Sequence, residues 1–212
     1  MNLEHLDRVA FGAMIIGFFL TAIFYPVIKT YLVTGRWPVV FHRNADRFQS
    51  TMKTVFGLYI GGMLLWTLLY VVYGPERLGI YEVPAWAAFL GWVLMIAGLV
   101  FTVLSQSHLG KSWRIGIDDR KTELVTGGLY RFSRNPIFTG MFVFLIGIVL
   151  VTPSGFTIMG FVGMWSLICL QVYLEEQALL SHHGNDYLEY SSRVGRFLPM
   201  VGRMKGPAEV ME

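Results

Sequence analysis

Apolar residues in this chain gather in long runs, with little of the alternation that marks a half-buried strand or the polar stripe that marks a surface helix. Five runs stand out: Val9 to Ile28, Thr54 to Tyr73, Pro84 to Ser105, Ile137 to Val151 and Phe156 to Leu174. A helix needs about 20 apolar residues to cross a hydrocarbon core, so each run is long enough or nearly so. The pattern predicts an all-α integral membrane protein with about five transmembrane helices. Pro26 predicts a kink near the end of the first run, and Lys29 beyond it can snorkel to the interface. Gly57 and Gly61 have the small-xxx-small spacing that lets helices approach closely, within the chain or between copies. Thr152, Pro153, Ser154 and Gly155 leave almost no loop between the fourth and fifth runs, which predicts a carboxyl-terminal helical hairpin. Beyond it, Tyr187, Tyr190, Val194 and Phe197 recur at helical spacing within Asp186 to Pro199. That stripe predicts an interfacial helix lying on the membrane or capping a site, with core packing as the alternative.

Composition supports this picture. Hydrophobic residues make up 54% of the chain, charged residues 15%, and the mean hydropathy is +0.53, against roughly 45–50% and about 25% in a soluble domain. The isoelectric point near 9.0 would suit a nucleic-acid binder, but the basic residues sit in short segments between runs. Arg36, Arg43, Arg47 and Lys53 follow the first run; Lys111, Arg114, Arg120, Lys121, Arg131 and Arg134 follow the third; Arg193, Arg196, Arg203 and Lys205 lie in the tail. The other side carries only Arg8 and Arg77. With five spans this is the positive-inside pattern of a bacterial-type inner or plasma membrane protein, with the amino terminus outside and the carboxyl terminus cytoplasmic. The partner it predicts is a lipid bilayer, and no nucleic acid. MNLEHLDR is a poor signal-peptide start, so the first run is expected to be retained. The single Cys169 excludes an intramolecular disulfide. The whole reads as one membrane domain, with residues 1–110 as a three-helix scaffold and 111–205 as the half that carries chemistry.

The densest cluster of binding groups is LVTGGLYRFSRNPIFTG, Leu124 to Gly140, where a basic loop enters the fourth run. Arg131 and Arg134 are three apart, which on a helical turn places them on one side. Asn135 before Pro136 is a helix-start signal, with proline at the first helical position. Such a start offers free backbone donors and partial positive charge to an anion. Glu175 and Glu176 end the fifth run, and carboxylates at a membrane helix end mark function or a salt bridge. The hairpin makes Arg131, Arg134 and Asn135 neighbours of these two glutamates. An ion-pair latch and a site for a zwitterionic ligand are both open readings of that neighbourhood.

These two segments, LVTGGLYRFSRNPIFTG and EEQALLSHHGNDYLEYSSRVGRFLP, resemble the carboxyl-terminal half of the isoprenylcysteine carboxyl methyltransferase family, which includes phospholipid methyltransferases. The family pattern is GxYxxxRHPxYxG followed, one hairpin later, by EExxLxxxFGxxYxxYxxxVxRxxP. Tyr130, Arg134, Pro136 and Gly140 match the first block; Glu175, Glu176, Leu179, Gly184, Tyr187, Tyr190, Val194, Arg196 and Pro199 match the second. Asn135 stands in place of His, Phe138 of Tyr and His183 of Phe; an asparagine can donate a hydrogen bond but cannot act as a base.

The resemblance implies an S-adenosylmethionine-dependent methyltransferase whose lipophilic or lipid-modified acceptor arrives from the bilayer. It makes Tyr130, Arg131, Arg134, Asn135, Pro136, Glu175, Glu176, Tyr187 and Tyr190 the expected cofactor-binding residues, with Arg134 and Glu176 catalytic. An arginine could clamp the cofactor carboxylate, a glutamate could accept from the ribose or ammonium, and the tyrosines could frame adenine or sulfonium. His108, Trp113 and Arg114, after the third run, are weaker candidates for the acceptor side. His182 and His183 are adjacent and diverge by about 100 degrees on a helix, so no metal site is expected. Two alternatives stay open: an NADPH-dependent enzyme like the membrane sterol reductases, which have Cys and a Lys-Tyr-Gly run in the second block, and a non-enzymatic scaffold. The acceptor's identity and the oligomeric state are not fixed by the sequence.

Overall fold

A computed structural model describes residues 3–39, 47–110, 113 and 123–206. Seven helices account for most of them: α1 (Leu3–Phe19), α2 (Tyr25–Thr34), α3 (Arg47–Tyr73), α4 (Ala85–Leu109), α5 (Pro136–Val151), α6 (Gly155–His183) and α7 (Asn185–Arg193). Among the described residues there is no strand; an isolated bridge pairs Ser133 with Gly195. Four segments are long and apolar enough to cross a membrane: His5–Thr34, Thr54–Tyr73, Ala85–Leu109 and Gly155–His183. Pro136–Val151 is a shorter apolar helix, and at 1.5 Å per residue its 16 residues span about 24 Å. The five sequence-predicted runs therefore fall on the five apolar segments.

The kink predicted at Pro26 is a π turn, Leu20–Phe24, joining α1 to α2. Proline has no N–H, so the α-helical bond from residue 26 to the carbonyl of Ala22 cannot form. The backbone shifts register there, with Tyr25 N–H donating to Leu20 O. Gln106 of α4 supplies the missing donor, its Nε2 lying 2.6 Å from Ala22 O in a buried position. One proline thus fixes where the first helix meets the third span. Above this point Phe11 sits edge-on to Tyr70 of α3 at 5.2 Å, and Phe18 stacks on Phe144 of α5 at 4.1 Å.

The tightest packing in the molecule joins α4 to α5. Gly91 and Gly98 on α4 meet Gly147 and Gly140 on α5 in antiparallel order. A methyl group at Gly98 would lie 2.7 Å from Gly140 O, and one at Gly140 2.9 Å from Gly98 O. The backbones touch, leaving no room for a side chain on either helix. The division expected at residue 110 therefore separates two helices held face to face. Gly57 and Gly61 behave oppositely: an added Cβ at either would meet nothing within 4 Å. They take no part in packing among the described residues.

The helical hairpin forms as expected. Ser154 caps α6 by accepting from Thr157 N at 3.2 Å while its own N–H donates to Thr157 Oγ1 at 3.0 Å. α6 does not stop at Leu174 but runs nine residues further to His183, carrying the two glutamates on continuous helix. Gly184, at φ 52°, makes the joint to α7. The interfacial helix predicted over Asp186 to Pro199 is only partly present: α7 ends at Arg193 and Val194 is extended. Tyr187, Tyr190 and Val194 pack against Leu124, Leu179, Leu180 and Met204, so this stripe faces protein. The chain beyond α7 forms a strap, residues 194–202, laid across the start of α5.

Candidate functional site

The strap is held by main-chain bonds to the loop before α5. Arg134 N–H donates to Gly195 O at 2.9 Å, Asn135 N–H to Arg196 O at 3.1 Å, and Thr139 Oγ1 to Phe197 O at 3.0 Å. Pro136 is the first residue of α5, as expected, but Asn135 makes no side-chain cap; its Nδ2 donates to Arg196 O at 3.2 Å. The start of α5 is thus covered by the strap.

Beneath it lies an ion cluster. Arg134 Nε and Nη2 donate to Glu176 Oε1 at 3.0 and 2.8 Å. Its Nη1 donates to Ser191 O at 3.0 Å and Val194 O at 2.6 Å, and Nη2 also to Gly202 O at 3.1 Å. A guanidinium has five N–H groups, and all five are engaged inside the protein. Glu176 Oε2 accepts from Arg196 Nη2 at 2.6 Å. The side chains of Arg134 and Glu176 are each 1% exposed, that of Arg196 37%. The hairpin does bring Arg134 to Glu176, in the geometry of a latch. Neither the bidentate clamp on a ligand carboxylate nor a free Glu176 carboxylate is present in this arrangement.

Arg131 fares differently. It closes a short 3-10 turn, Gly128–Arg131, and is exposed. No regular helix joins it to Arg134, so the two guanidinium groups expected on one side separate into solvent and core. Arg131 instead borders a surface cleft of about 640 Å³ with Thr126, Asp186, Glu189, Tyr190 and Arg193. The Arg193–Glu189 pair there, at 2.7 Å, is about two-thirds exposed on both sides.

The tyrosines expected to frame a ligand form the floor. Tyr187 is 1% exposed and Tyr130 7%. Tyr190 OH donates to Tyr130 O at 2.7 Å, tying α7 to the 3-10 turn. Burial pushes all three phenols above their usual pKa; the nearby charge of Glu175 adds to the rise at Tyr130 and that of Glu176 at Tyr187, while Arg134 opposes it at Tyr187 and Tyr190. They stay protonated donors throughout the physiological range.

Glu175 is half-buried and accepts from Gln171 Nε2 at 2.8 Å. Its charge acts on Tyr130, and the 3-10 turn meets the end of α4. The His108 ring lies against Gly128, where a side chain would collide with it. His108 Nδ1 lies 2.8 Å from Leu104 O; a donated Nδ1–H there leaves Nε2 as the acceptor nitrogen. Trp113 is 6% exposed. Arg114 lies outside the described residues, as do Arg43, Lys111, Arg120 and Lys121. Among the described residues no group of three or more His, Cys, Asp or Glu side chains could hold a metal ion. His108 from α4 thus packs against the turn that carries Tyr130, and the charge of Glu175 from α6 acts on that tyrosine. Arg196, matched in the second block but given no role by it, is the group whose importance the sequence left unread.

Comparison with known proteins gives a consistent picture. The phospholipid methyltransferase family model matches residues 86–186. The protein-S-isoprenylcysteine O-methyltransferase of Saccharomyces cerevisiae is 29% identical over 117 residues, covering 53% of this chain and 48% of that protein. The Xenopus laevis enzyme of the same name is 25% identical, over 57% of this chain and 43% of its own. This chain therefore spans about half the length of those relatives. The Dictyostelium discoideum relative aligns further, 22% identical over 73% of this chain and 81% of that protein. Among solved structures, a eukaryotic intramembrane Ras methyltransferase, isoprenylcysteine carboxyl methyltransferase, superposes with a TM-score of 0.61 at 20% identity, over 95% of this chain and 70% of that one. That likeness is one of fold.

Proposed function

We propose, from its likeness to the phospholipid methyltransferase family model and to isoprenylcysteine O-methyltransferases, that the chain is an integral-membrane methyltransferase of that family and transfers a methyl group from S-adenosylmethionine to a lipophilic acceptor. The observation that carries the proposal is that the His108 ring of α4 packs against the turn carrying Tyr130, a residue on which the charge of Glu175 from α6 also acts. These polar groups lie at the end of an apolar bundle, on the side where Arg36, Arg131, Arg134 and the tail arginines gather. By the positive-inside rule this side is cytoplasmic.

Bound there, S-adenosylmethionine supplies an electrophilic methyl group on a sulfonium. The donor set suits it: Glu175 is a carboxylate for ribose hydroxyls or ammonium, Tyr130 an aromatic face, Asn135 an amide, and Arg131 a cation paired with no described residue. Arg134 and Glu176 act as positioning residues in this reading. Their latch fixes the strap, and the strap fixes the loop that presents Tyr130 and Asn135. Methyl transfer is an in-line displacement that needs alignment and exclusion of water more than acid–base groups. A carboxylate acceptor needs no proton removed. The chain's residues would hold such an acceptor's oxygen in line with the donor methyl group and keep water away. The likeness to protein-S-isoprenylcysteine O-methyltransferases supports an isoprenylcysteine-type carboxylate as that acceptor.

The test is calorimetric titration of detergent-purified protein with S-adenosylhomocysteine, with NADPH in parallel. Saturable binding of the first is expected, weakened about tenfold or more in Glu175→Gln with unchanged melting temperature. Binding of NADPH alone moves the chain to a reductase chemistry. Undiminished affinity in Glu175→Gln places the cofactor elsewhere.

A further inference from the structure

The ion cluster under the strap is unbalanced. It holds two guanidinium groups and one carboxylate, a net single positive charge at a membrane helix end. Arg134 contributes nothing further, because its five N–H groups are committed. Glu176 is committed too, with Oε1 receiving two donors and Oε2 one. Arg196 is the opposite case. One N–H of its Nη2 reaches Glu176; its Nε is buried with no acceptor, and no described residue accepts from Nη1. Its side chain keeps 37% of its surface open. A cation at such a depth is costly unless matched by an anion, and Glu176 alone cannot match both arginines.

The surroundings of Arg196 narrow the anion's nature. The next residue, Phe197, sits edge-on to Phe142 at 5.2 Å and tilted against Trp165 at 6.3 Å, while Phe142 and Trp165 stack at 4.1 Å. Trp165 is 42% exposed toward the bilayer. On α6, Trp165, Cys169 and Glu176 lie at i, i+4 and i+11, one face of the helix. The face therefore reads, from the helix end inward, as a partly unsatisfied guanidinium, a thiol and an aromatic wall open to lipid. That sequence of surfaces complements an amphiphile with an anionic head and an apolar tail.

We propose that Arg196 is the specificity-determining residue for the methyl acceptor, its uncommitted Nη N–H groups reading a carboxylate head while the tail lies over Trp165 and Phe197. The assignment rests on the methyltransferase reading and adds to it a choice between acceptor charges. Arg196 favours a carboxylate and rejects a protonated amine, which would meet an uncompensated cation. It holds one carboxylate oxygen and leaves the other to react.

The experiment titrates purified protein in detergent with a farnesyl thioether carboxylic acid and with its neutral primary amide, following tryptophan fluorescence, and measures S-adenosylhomocysteine affinity separately. The wild type is expected to bind the acid about tenfold or more tighter than the amide. In Arg196→Gln the ratio should fall to near one, with cofactor affinity retained; Arg196→Lys, which keeps the charge and the bond to Glu176, should restore part of it. The readout is a ratio within each variant, so a general loss of stability does not move it. If Arg196→Gln fails to fold, a preference in Arg196→Lys as large as in the wild type overturns the assignment. An undiminished preference in Arg196→Gln also overturns it. So does a parallel loss of S-adenosylhomocysteine binding, which would make the anion the cofactor's own, or suppression of acid binding by vesicles of anionic phospholipid, which would make it a lipid phosphate. Absence of S-adenosylhomocysteine binding in the wild type sinks the methyltransferase reading by itself, leaving the acid-to-amide ratio still measurable.

Discussion

The α4–α5 seam and the junction under the strap hold the same helix, α5, at different depths and by different physics. Along the seam, Gly91, Gly98, Gly140 and Gly147 bring backbone against backbone, and nothing but shape specifies the fit. At the junction, Arg134 is bound to Glu176 and three main-chain carbonyls, and charge specifies it. Inside a bilayer, apolar surface gains little by leaving lipid for protein, so close van der Waals packing is what holds helices there. At the membrane's edge a buried ion pair can be anchored by backbone groups that need partners anyway. The seam should resist added volume, and the junction should resist lost charge.

Removing charge has the largest expected effect. Glu176→Ala leaves the Arg134 guanidinium buried without its carboxylate, and breaking a buried pair on one side typically destabilises by about 3–5 kcal/mol. The detergent-solubilised variant should melt well below the wild type, and a melting temperature unchanged within error would deny the latch. Gly98→Ala comes next: overpacking costs about 1–3 kcal/mol, and here the obstacle is the backbone around Gly140 and Phe144, which cannot rotate away. Thermal unfolding of that variant should fall clearly below that of Gly57→Ala. The same substitution at Gly57 meets open space and should stay within about 0.5 kcal/mol, the usual range for a surface change. If Gly57→Ala proved as damaging as Gly98→Ala, the second run would pack against another molecule.

Much of this contrast was partly legible. The five apolar runs, the hairpin turn and the nearness of Arg134 to Glu176 follow from composition and chain order, because hydrophobic length and short loops leave little choice. The glycine seam was missed although its signal was present, a seven-residue repeat in two successive runs; attention went to Gly57 and Gly61, which are closer in sequence and face outward. The strap was not legible. Its bonds run through main-chain carbonyls of Gly195, Arg196 and Phe197, which every residue type carries. The stripe Tyr187, Tyr190, Val194 and Phe197 has helical spacing, yet the tail leaves the helix at Val194 to reach the loop. The saturation of Arg134 was hidden for the same reason: three of its acceptors are backbone oxygens.

Among these contacts, the bond from Gln106 to Ala22 crosses a separation of 84 residues, and it bears on how the protein is born. A ribosome delivers the first apolar segment long before the third. During that interval the Ala22 carbonyl lacks both the α-helical bond that Pro26 removes and the Gln106 donor, and in hydrocarbon an unmatched backbone group costs several kcal/mol. The first segment therefore reaches its final depth only once α4 has emerged, and until then it is best sheltered at the lateral gate of the insertion machinery or near the wet headgroups. A nascent chain stalled after Tyr73 would hold its first helix loosely; one stalled after Leu109 would hold it fast.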